Sequence, residues 1–173
     1  MCLEITADGR IIVRAPLWVR KSVILHFVAN REEWIKDSLY KMEKKKAELK
    51  AIPSISDEQL ALIKSKAKEV IPKRVEEYAQ IMGLSYGRIT IKCQQTLWGS
   101  CSVKHNLNFN CLLLLVPPQV MDYVIVHELC HIIELNHSAR FWAEVAKVMP
   151  DYKMHRKWLK ENGSRIIASV NKS

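Results

Sequence analysis

The segment 119–135 constrains the fold more than any other part of the chain, because its residues are apolar on nearly every face of a helix. A helix with a single apolar stripe lies on a protein surface, whereas a helix that is apolar all round runs through a core. We therefore expect a helix here that other elements surround.

Periodicity along the rest of the chain predicts a mixture of helices and strands. Alternating polar and apolar residues, with turn residues between them, predict strands over 3–6, 10–15, 88–92 and 107–116, the first two joined by a tight turn at Ala7, Asp8 and Gly9. Helical spacing predicts a helix over 17–50, or two helices broken near Asn30, then helices over 57–82, 119–135, from Ser138 to Pro150, and over 153–161. The sequence Ile52-Pro53-Ser54 is expected to end the first helical segment, and Gly163 the last. This mixture indicates the α+β class.

Cap residues define the helix predicted over 57–82. Ser56 is its expected N-cap, Gln59 occupies the capping-box position, and Gly83 follows its last turn. Pro72 lies inside the segment and is expected to kink the helix or to split it in two.

Length and composition indicate a soluble protein that folds as one domain. The chain has 173 residues, of which 49% are hydrophobic and 26% charged, so it contains enough apolar material for one core. The apolar run 111–118 is too short to cross a bilayer, and the first residues lack a signal-peptide pattern. Five irregularly spaced cysteines are expected to be reduced thiols. We expect one cytoplasmic domain over 1–173, with no membrane partner.

A net charge of +9 indicates an attraction to polyanions at low salt. The densest basic cluster comprises Lys41, Lys44, Lys45, Lys46 and Lys50, and it is interrupted by acidic residues at helical spacing. A solvated helix face explains this cluster better than a nucleic-acid footprint. Non-specific nucleic-acid binding stays open, and so does the oligomeric state.

The sequence His127-Glu128-Leu129-Cys130-His131 lies inside the helix that is expected to be buried. Residues four apart share one face of a helix, so two imidazoles can occupy two corners of one tetrahedral zinc site. Glu128 projects beside the metal, where a carboxylate can take a proton from zinc-bound water. Burying two imidazoles and a carboxylate would be costly without a partner, which argues against ordinary core histidines.

A third ligand is expected at His137, six residues after His131, because this spacing is found in zincins with three histidine ligands. Where a metzincin has a turning glycine, this chain has Glu134. Glutamate is disfavoured at positive φ, so we expect the helix to continue and to bend at Asn136.

Several neighbouring residues are further candidates for a role at the same site. Cys130 points to the flank of the helix and is expected to be a buried thiol rather than a ligand. Glu134 is expected to support a ligand or to face solvent. His155, with Tyr152, lies where zincins often stabilise an oxyanion, and this role stays open.

The motifs together resemble the YgjP-like zinc metallopeptidase family, also called DUF45, which is related to the SprT-like and WLM proteases. The resemblance rests on TLWGSCS at 96–102, NLNFN at 106–110, PP at 117–118, DYVIVHELCH at 122–131, NHS at 136–138 and FW at 141–142. Many members have arginine where this chain has Leu97, so a role for that arginine does not carry over.

The resemblance implies a zincin-like fold, in which a small mixed sheet packs on a buried active-site helix and an N-terminal hairpin and helices over 1–85 precede a catalytic core over 86–162. It also implies zinc (Zn2+) on His127, His131 and His137, with Glu128 as general base and acid. In such folds the strand before the active-site helix pairs with an extended peptide, which would assign that role to residues 107–111. A plain structural strand is the alternative. Trp98, Ser100 and Cys101 are expected to pack the sheet against the helix.

The motifs and the charge lead to two hypotheses for the function of this chain. The first is a zinc metallopeptidase that hydrolyses peptide bonds of a peptide or protein substrate, using a zinc-bound water activated by Glu128. The alternative is a basic module associated with nucleic acid, either a DNA-linked protease or a non-catalytic zinc protein. Glu128 favours the enzyme, since a structural zinc site needs no base and usually has four protein ligands.

Overall fold

The structure is a computed structural model that describes residues 1–6, 8–50 and 54–170. The chain divides into two compact units, Met1–Ala51 and Ile52–Ser173. The family's single domain over 1–173 stays a prediction.

The first unit contains a hairpin and two helices. Strands β1 (Cys2–Ile5) and β2 (Ile11–Arg14) pair antiparallel, and Gly9 in the turn between them has φ +84°, a conformation that glycine adopts at little cost. The helical segment forms two helices, α1 (Lys21–Ala29) and α2 (Glu32–Lys50), so the predicted break near Asn30 is confirmed.

The second unit begins with α3 (Asp57–Met82), whose ends are where the caps predict them. Ser56 and Gln59 form a reciprocal capping box, and Gly83 ends the helix with φ +63°. Pro72 does not split the helix, which continues through it as one element. The predicted end of the preceding segment at Ile52 and Pro53 lies outside the described residues.

A three-stranded sheet follows α3. Its strands are β3 (Ile89–Lys92), β4 (Gly99–Cys101) and β5 (Leu107–Asn110), in the order β3-β5-β4. Strand β5 is central, running parallel to β3 and antiparallel to β4.

The strand predicted over 107–116 is wrong beyond residue 110, where a 3-10 helix (Cys111–Leu115) begins. The Asn110 side chain accepts a hydrogen bond from the Leu112 amide at 3.2 Å and donates to the carbonyls of Gln94 at 2.7 Å and Leu97 at 3.0 Å. These bonds cap the 3-10 helix and hold the loop before β4. The fully buried Asn110 therefore ends strand β5 at a point where the apolar pattern by itself predicts that the strand continues.

Helix α4 (Pro118–Ile133) runs through the core of this unit, as predicted, with Val124, Ile125 and Leu129 among its buried residues. Helix α5 (Ala139–Val148) starts at the predicted cap, where the Ser138 hydroxyl accepts a hydrogen bond from the Phe141 amide. No helix in the described ranges is long and apolar enough to cross a membrane.

The last helix, α6 (Tyr152–Ala168), continues past Gly163, so its predicted end is wrong. A Cβ atom on Gly163 would lie 3.1 Å from the indole of Trp98. Glycine at this position lets α6 approach the loop before β4 closely. From the sequence alone, a glycine that allows such a contact cannot be distinguished from a glycine that ends a helix.

Candidate metal centre

Helix α4 brings His127 and His131 onto one face, with ring centroids 4.9 Å apart. His137 lies ten residues beyond His127, in the connection to α5, and its ring centroid is 4.9 Å from that of His127 and 4.7 Å from that of His131. All three predicted ligands therefore meet at one point of the second unit.

Helix α4 ends at Ile133 rather than continuing as predicted, although the chain does bend at Leu135 and Asn136. Glu134 is the C-cap with φ −139° and ψ 111°, an extended conformation that any residue can adopt. Among the described non-glycine residues, positive φ occurs at His105 alone, so the expected left-handed Asn136 is wrong. An extended exit directs the chain back toward the metal site without requiring glycine at position 134.

This exit also orients a ligand. The Glu134 carbonyl lies 3.1 Å from Nδ1 of His131, so a proton on Nδ1 can be donated to it and Nε2 is left to bind a metal. The Glu134 carboxylate forms an ion pair with Arg140, with 3.9 Å between Oε2 and Nε. The predicted supporting role thus corresponds to the backbone of Glu134 rather than to its side chain.

The donor atoms fit a single metal ion. Nε2 of His127 and Nε2 of His137 are 2.9 Å apart, and the three histidines offer ligand atoms that all lie within 4.8 Å of one another. Nδ1 of His127 is buried and has no hydrogen-bond partner in the described part of the chain. Three converging imidazoles are the donor set of a catalytic zinc site.

Burial favours the neutral form of two of the candidate ligands, His127 and His131, and this is the form that binds a metal. Desolvation, together with smaller repulsion by the neighbouring histidines and Arg156, lowers the pKa of His127 to about 3. Desolvation also lowers the pKa of His131. Their lone pairs are therefore available at neutral pH.

Phe141 packs against all three imidazoles. Its ring centroid lies 4.8 Å from that of His127, 4.5 Å from that of His131 and 4.7 Å from that of His137. Phe141 is fully buried and belongs to the first turn of α5, so the Ser138 cap that starts α5 also places this ring. The apolar contact restricts the rotamers of the three histidines.

Within the described residues, the group of side chains that could hold a metal ion comprises the three histidines and no fourth residue. Cys130 is fully buried, and burial raises the pKa of its thiol to about 12. It is therefore the neutral core thiol that was predicted. A site with three protein ligands keeps a coordination position for water or substrate.

Glu128 is 5% exposed, and burial raises the pKa of its carboxyl to about 8. A dication nearby would lower this pKa again, because positive charge favours the carboxylate. A Cβ atom on Gly99 would lie only 2.7 Å from Cγ and Oε1 of Glu128. Glycine in β4 therefore lets the strand approach this carboxyl directly. Sequence reasoning missed this role of Gly99, although a glycine inside a strand can signal such a contact.

Arg156 is a second residue that sequence reasoning missed. Its guanidinium lies 4.5 Å from the ring centroid of Trp142, which stacks on His137 at 5.6 Å. Trp142 also stacks on Tyr152 at 5.2 Å. His155 is buried with Nε2 3.0 Å from Asp151, and its role toward an oxyanion stays a prediction. Arg156 thus adds a positive charge beside the ligands, and no motif in the sequence indicates it.

The prediction that residues 107–111 pair with a peptide is wrong, because β5 is the central strand and is occupied on both sides. Strand β4 is an edge. Two backbone hydrogen bonds flank the pairing of β4 with β5: the Asn110 amide donates to the Trp98 carbonyl, and the Ser102 amide donates to the Asn106 carbonyl. The pairs Gly99 with Phe109 and Cys101 with Leu107 lie between these bonds and are the non-hydrogen-bonded pairs of the ladder. The amide and carbonyl groups of Gly99 and Cys101 therefore point away from β5.

The contacts of Trp98 and Ser100 differ from the expected packing of the sheet against the active-site helix, whereas Cys101 lies near Glu128 of α4. Trp98 lies on Gly163 of α6, and the Ser100 hydroxyl accepts a hydrogen bond from the side chain of Asn108 at 3.2 Å. Cys101 is half-buried, and burial together with the charge of Glu128 raises its pKa to about 11.

Comparison with protein families matches the YgjP-like, metallopeptidase domain to residues 1–61 and 57–162. The chain belongs to the YgjP-like metallopeptidase family. It is accordingly an enzyme, a hydrolase whose family acts on peptides or proteins and uses a metal ion. The predicted family and activity class are confirmed.

Two solved structures resemble this YgjP-like metallopeptidase. One is the metallopeptidase zymogen of Pyrococcus abyssi abylysin, with 23% identity, a TM-score of 0.48, and an alignment over 53% of this chain and 94% of that chain. The other is the metallopeptidase zymogen of Methanocaldococcus jannaschii jannalysin, with 23% identity, a TM-score of 0.46, and an alignment over 54% of this chain and 94% of that chain. A comparison with curated proteins found no match.

Proposed function

We propose that this chain is a zinc-dependent peptidase in which His127, His131 and His137 hold the metal and Glu128 transfers protons. The observation that carries the proposal is the convergence of three imidazoles, whose ligand atoms lie within 4.8 Å of one another, beside the buried carboxyl of Glu128. The family supports a metal-dependent hydrolase. Our proposal adds which residues of this chain hold the metal and which residue carries the proton.

Zinc is the metal that this donor set favours. Three imidazoles with a free coordination position suit zinc, whereas magnesium and calcium prefer oxygen ligands. Zinc in such a site acts as a Lewis acid that acidifies water and polarises a carbonyl.

Glu128 is placed to move a proton during peptide hydrolysis. As a carboxylate it accepts the proton of the attacking water, and as a carboxylic acid it returns that proton to the departing amine nitrogen. Burial removes competing water from the carboxyl, and the absence of a side chain on Gly99 leaves its position beside β4 free.

The open edge of β4 offers a place for the substrate backbone. An extended peptide can add to a sheet edge through main-chain hydrogen bonds, which do not depend on its sequence. Gly99 and Cys101 carry the outward-facing groups, and Gly99 also contacts Glu128. We propose that a peptide bound along this edge presents its carbonyl to the metal centre.

Substitution of His137 by alanine tests the metal site. Purified wild-type protein should contain about one zinc ion per chain by elemental analysis, and the His137→Ala variant should retain far less because a site with two protein ligands binds zinc weakly. The matched control is His26→Ala, an exposed histidine of the first unit, which should leave the zinc content unchanged. Full zinc occupancy in His137→Ala, with its circular dichroism preserved, would remove His137 from the site.

A further inference from the structure

Cys93 and Cys111 form a pair that the peptidase chemistry does not use. They follow the last paired residues of two neighbouring parallel strands, where Lys92 of β3 lies beside Asn110 of β5. The two cysteines are the next residue after each strand, close enough for Cys93 to raise the pKa of the Cys111 thiol.

The register explains why the two thiols meet. Directly paired residues of parallel strands project to the same face, so the pairs Ile89 with Leu107 and Ile91 with Phe109 are continued by Cys93 with Cys111. Neighbouring strands lie about 4.8 Å apart, which is within the roughly 4.4–6.8 Å between Cα atoms that a disulfide requires. Asn110 is still extended, with φ −78° and ψ 129°, so the chain keeps the strand direction up to Cys111 and this spacing suits a bond between the two sulfurs.

The two thiols differ in accessibility. Cys93 is exposed, whereas Cys111 is fully buried, and burial raises the pKa of its thiol to about 11. Lys64 of α3 provides a positive charge near Cys111 that partly offsets this effect. An oxidant from solvent thus reaches Cys93 first, and Cys111 lies beside it in the register of the two strands.

We propose that Cys93 and Cys111 are an oxidisable dithiol that hydroperoxides convert into an intramolecular disulfide. The Cys93 thiolate attacks a peroxide oxygen, the O–O bond breaks, and Cys93 becomes a sulfenic acid while hydroxide leaves and takes up a proton. The Cys111 sulfur then attacks the Cys93 sulfur, the S–O bond breaks, and water leaves with the Cys111 proton. For hydrogen peroxide, two thiols and one peroxide give one disulfide and two waters, with two electrons passing from sulfur to oxygen.

The position of the pair links it to the loop that leads to β4. Asn110, next to Cys111, holds the carbonyls of Gln94 and Leu97, and this loop continues to Gly99 beside Glu128. A disulfide would close the segment 93–111 at its base. Neither cysteine belongs to the histidine cluster, so oxidation should leave the zinc content unchanged and the inference does not rest on the proposed function.

The test treats the reduced, full-length, zinc-loaded chain with hydrogen peroxide. We expect the free thiols per chain to fall from five to three, the intact mass to fall by two hydrogen atoms, and peptide mapping to recover residues 93 and 111 in one cross-linked product. Dithiothreitol should reverse all three changes. The oxidised protein should also melt several degrees higher, because the bond restricts the unfolded chain.

Variants separate this site from general thiol oxidation. Cys93→Ser should form no disulfide, whereas Cys2→Ser, which removes an exposed cysteine of the other unit, should behave as wild type. In Cys111→Ala the oxidation should stop at a Cys93 sulfenic acid that dimedone traps. A predominant bond between other cysteines, or direct conversion of Cys93 to sulfinic acid without a bond in wild type, would overturn the proposal, whatever the zinc content.

Discussion

Glu128 shows how one residue combines an energetic cost with a chemical use. Its carboxyl is buried in a largely apolar helix, and desolvation raises its pKa to about 8. The neighbouring histidines stay neutral for the same reason, because burial lowers the pKa of His127 to about 3. Burial thus prepares the imidazoles to bind a metal and keeps the carboxyl within the range where it can exchange a proton.

Replacing Glu128 by glutamine separates chemistry from metal binding. The amide keeps the size of the side chain but cannot accept a proton from water, so peptide hydrolysis should fall by roughly 10²-fold or more while zinc content stays near wild type. Cleavage of a mixed peptide library, followed by mass spectrometry, measures the loss. His137→Ala should instead lose zinc and activity together. Equal cleavage by Glu128→Gln and wild type would contradict the proposed proton transfer.

At the scale of elements, close approaches made possible by glycine connect the sheet to the helices. Gly99 of β4 lies against Glu128 of α4, and Gly163 of α6 lies against Trp98 just before β4. Both contacts join segments that are distant in sequence, and both would be blocked by a larger residue. Strand β4 is therefore held between two helices while its outer edge stays unpaired in the sheet.

Alanine at position 99 tests the contact between β4 and α4. Its Cβ atom would displace the Glu128 carboxyl without touching a metal ligand, so hydrolysis should fall by about 10-fold to 100-fold, with zinc content unchanged. Ser100→Ala is the matched control on the same strand, because it removes only the hydroxyl that accepts a hydrogen bond from Asn108. The contact is unimportant for catalysis if Gly99→Ala and Ser100→Ala hydrolyse peptides equally well.

At the scale of the whole molecule, the buried ionisable groups couple stability to pH and to the metal. The +9 charge belongs to the chain as a whole, and the nucleic-acid binding that it suggests stays a prediction. The metal centre has a more direct effect. Without metal, the folded protein must either protonate Glu128 or bury its negative charge.

The metal-free protein should therefore lose stability as pH rises. The pKa of Glu128 is about 8 in the folded state and near 4.5 when unfolded, so between these values the folded state binds more protons and rising pH favours unfolding. The histidines act in the opposite direction at lower pH, and comparison with Glu128→Gln removes their contribution. At pH 5 both proteins should melt at similar temperatures, and at pH 8 the metal-free wild type should melt several degrees lower. A constant difference in melting temperature from pH 5 to pH 8 would contradict this, and added zinc should restore the wild type.

Local chemistry was sufficient to predict much of this protein from its sequence. The limits of α3 follow from Ser56, Gln59 and Gly83, which bond only to neighbouring backbone. The shared face of His127 and His131 follows from helical spacing, and the burial of α4 follows from its composition. These features depend on residues a few positions apart, so the sequence alone determines them.

Tertiary structure decided the features that depend on distant partners. Asn110 ends β5 because it bonds to Gln94 and Leu97, and α6 passes Gly163 because Trp98 lies there. The order of the strands made β4 the edge, whereas the family resemblance would assign the peptide-pairing edge to the strand directly before α4. Glu134 has an extended conformation, in which its carbonyl lies against His131 and the chain returns toward His137. In each case a contact with a residue elsewhere in the chain outweighs the local preference, and only the folded structure brings the two residues together.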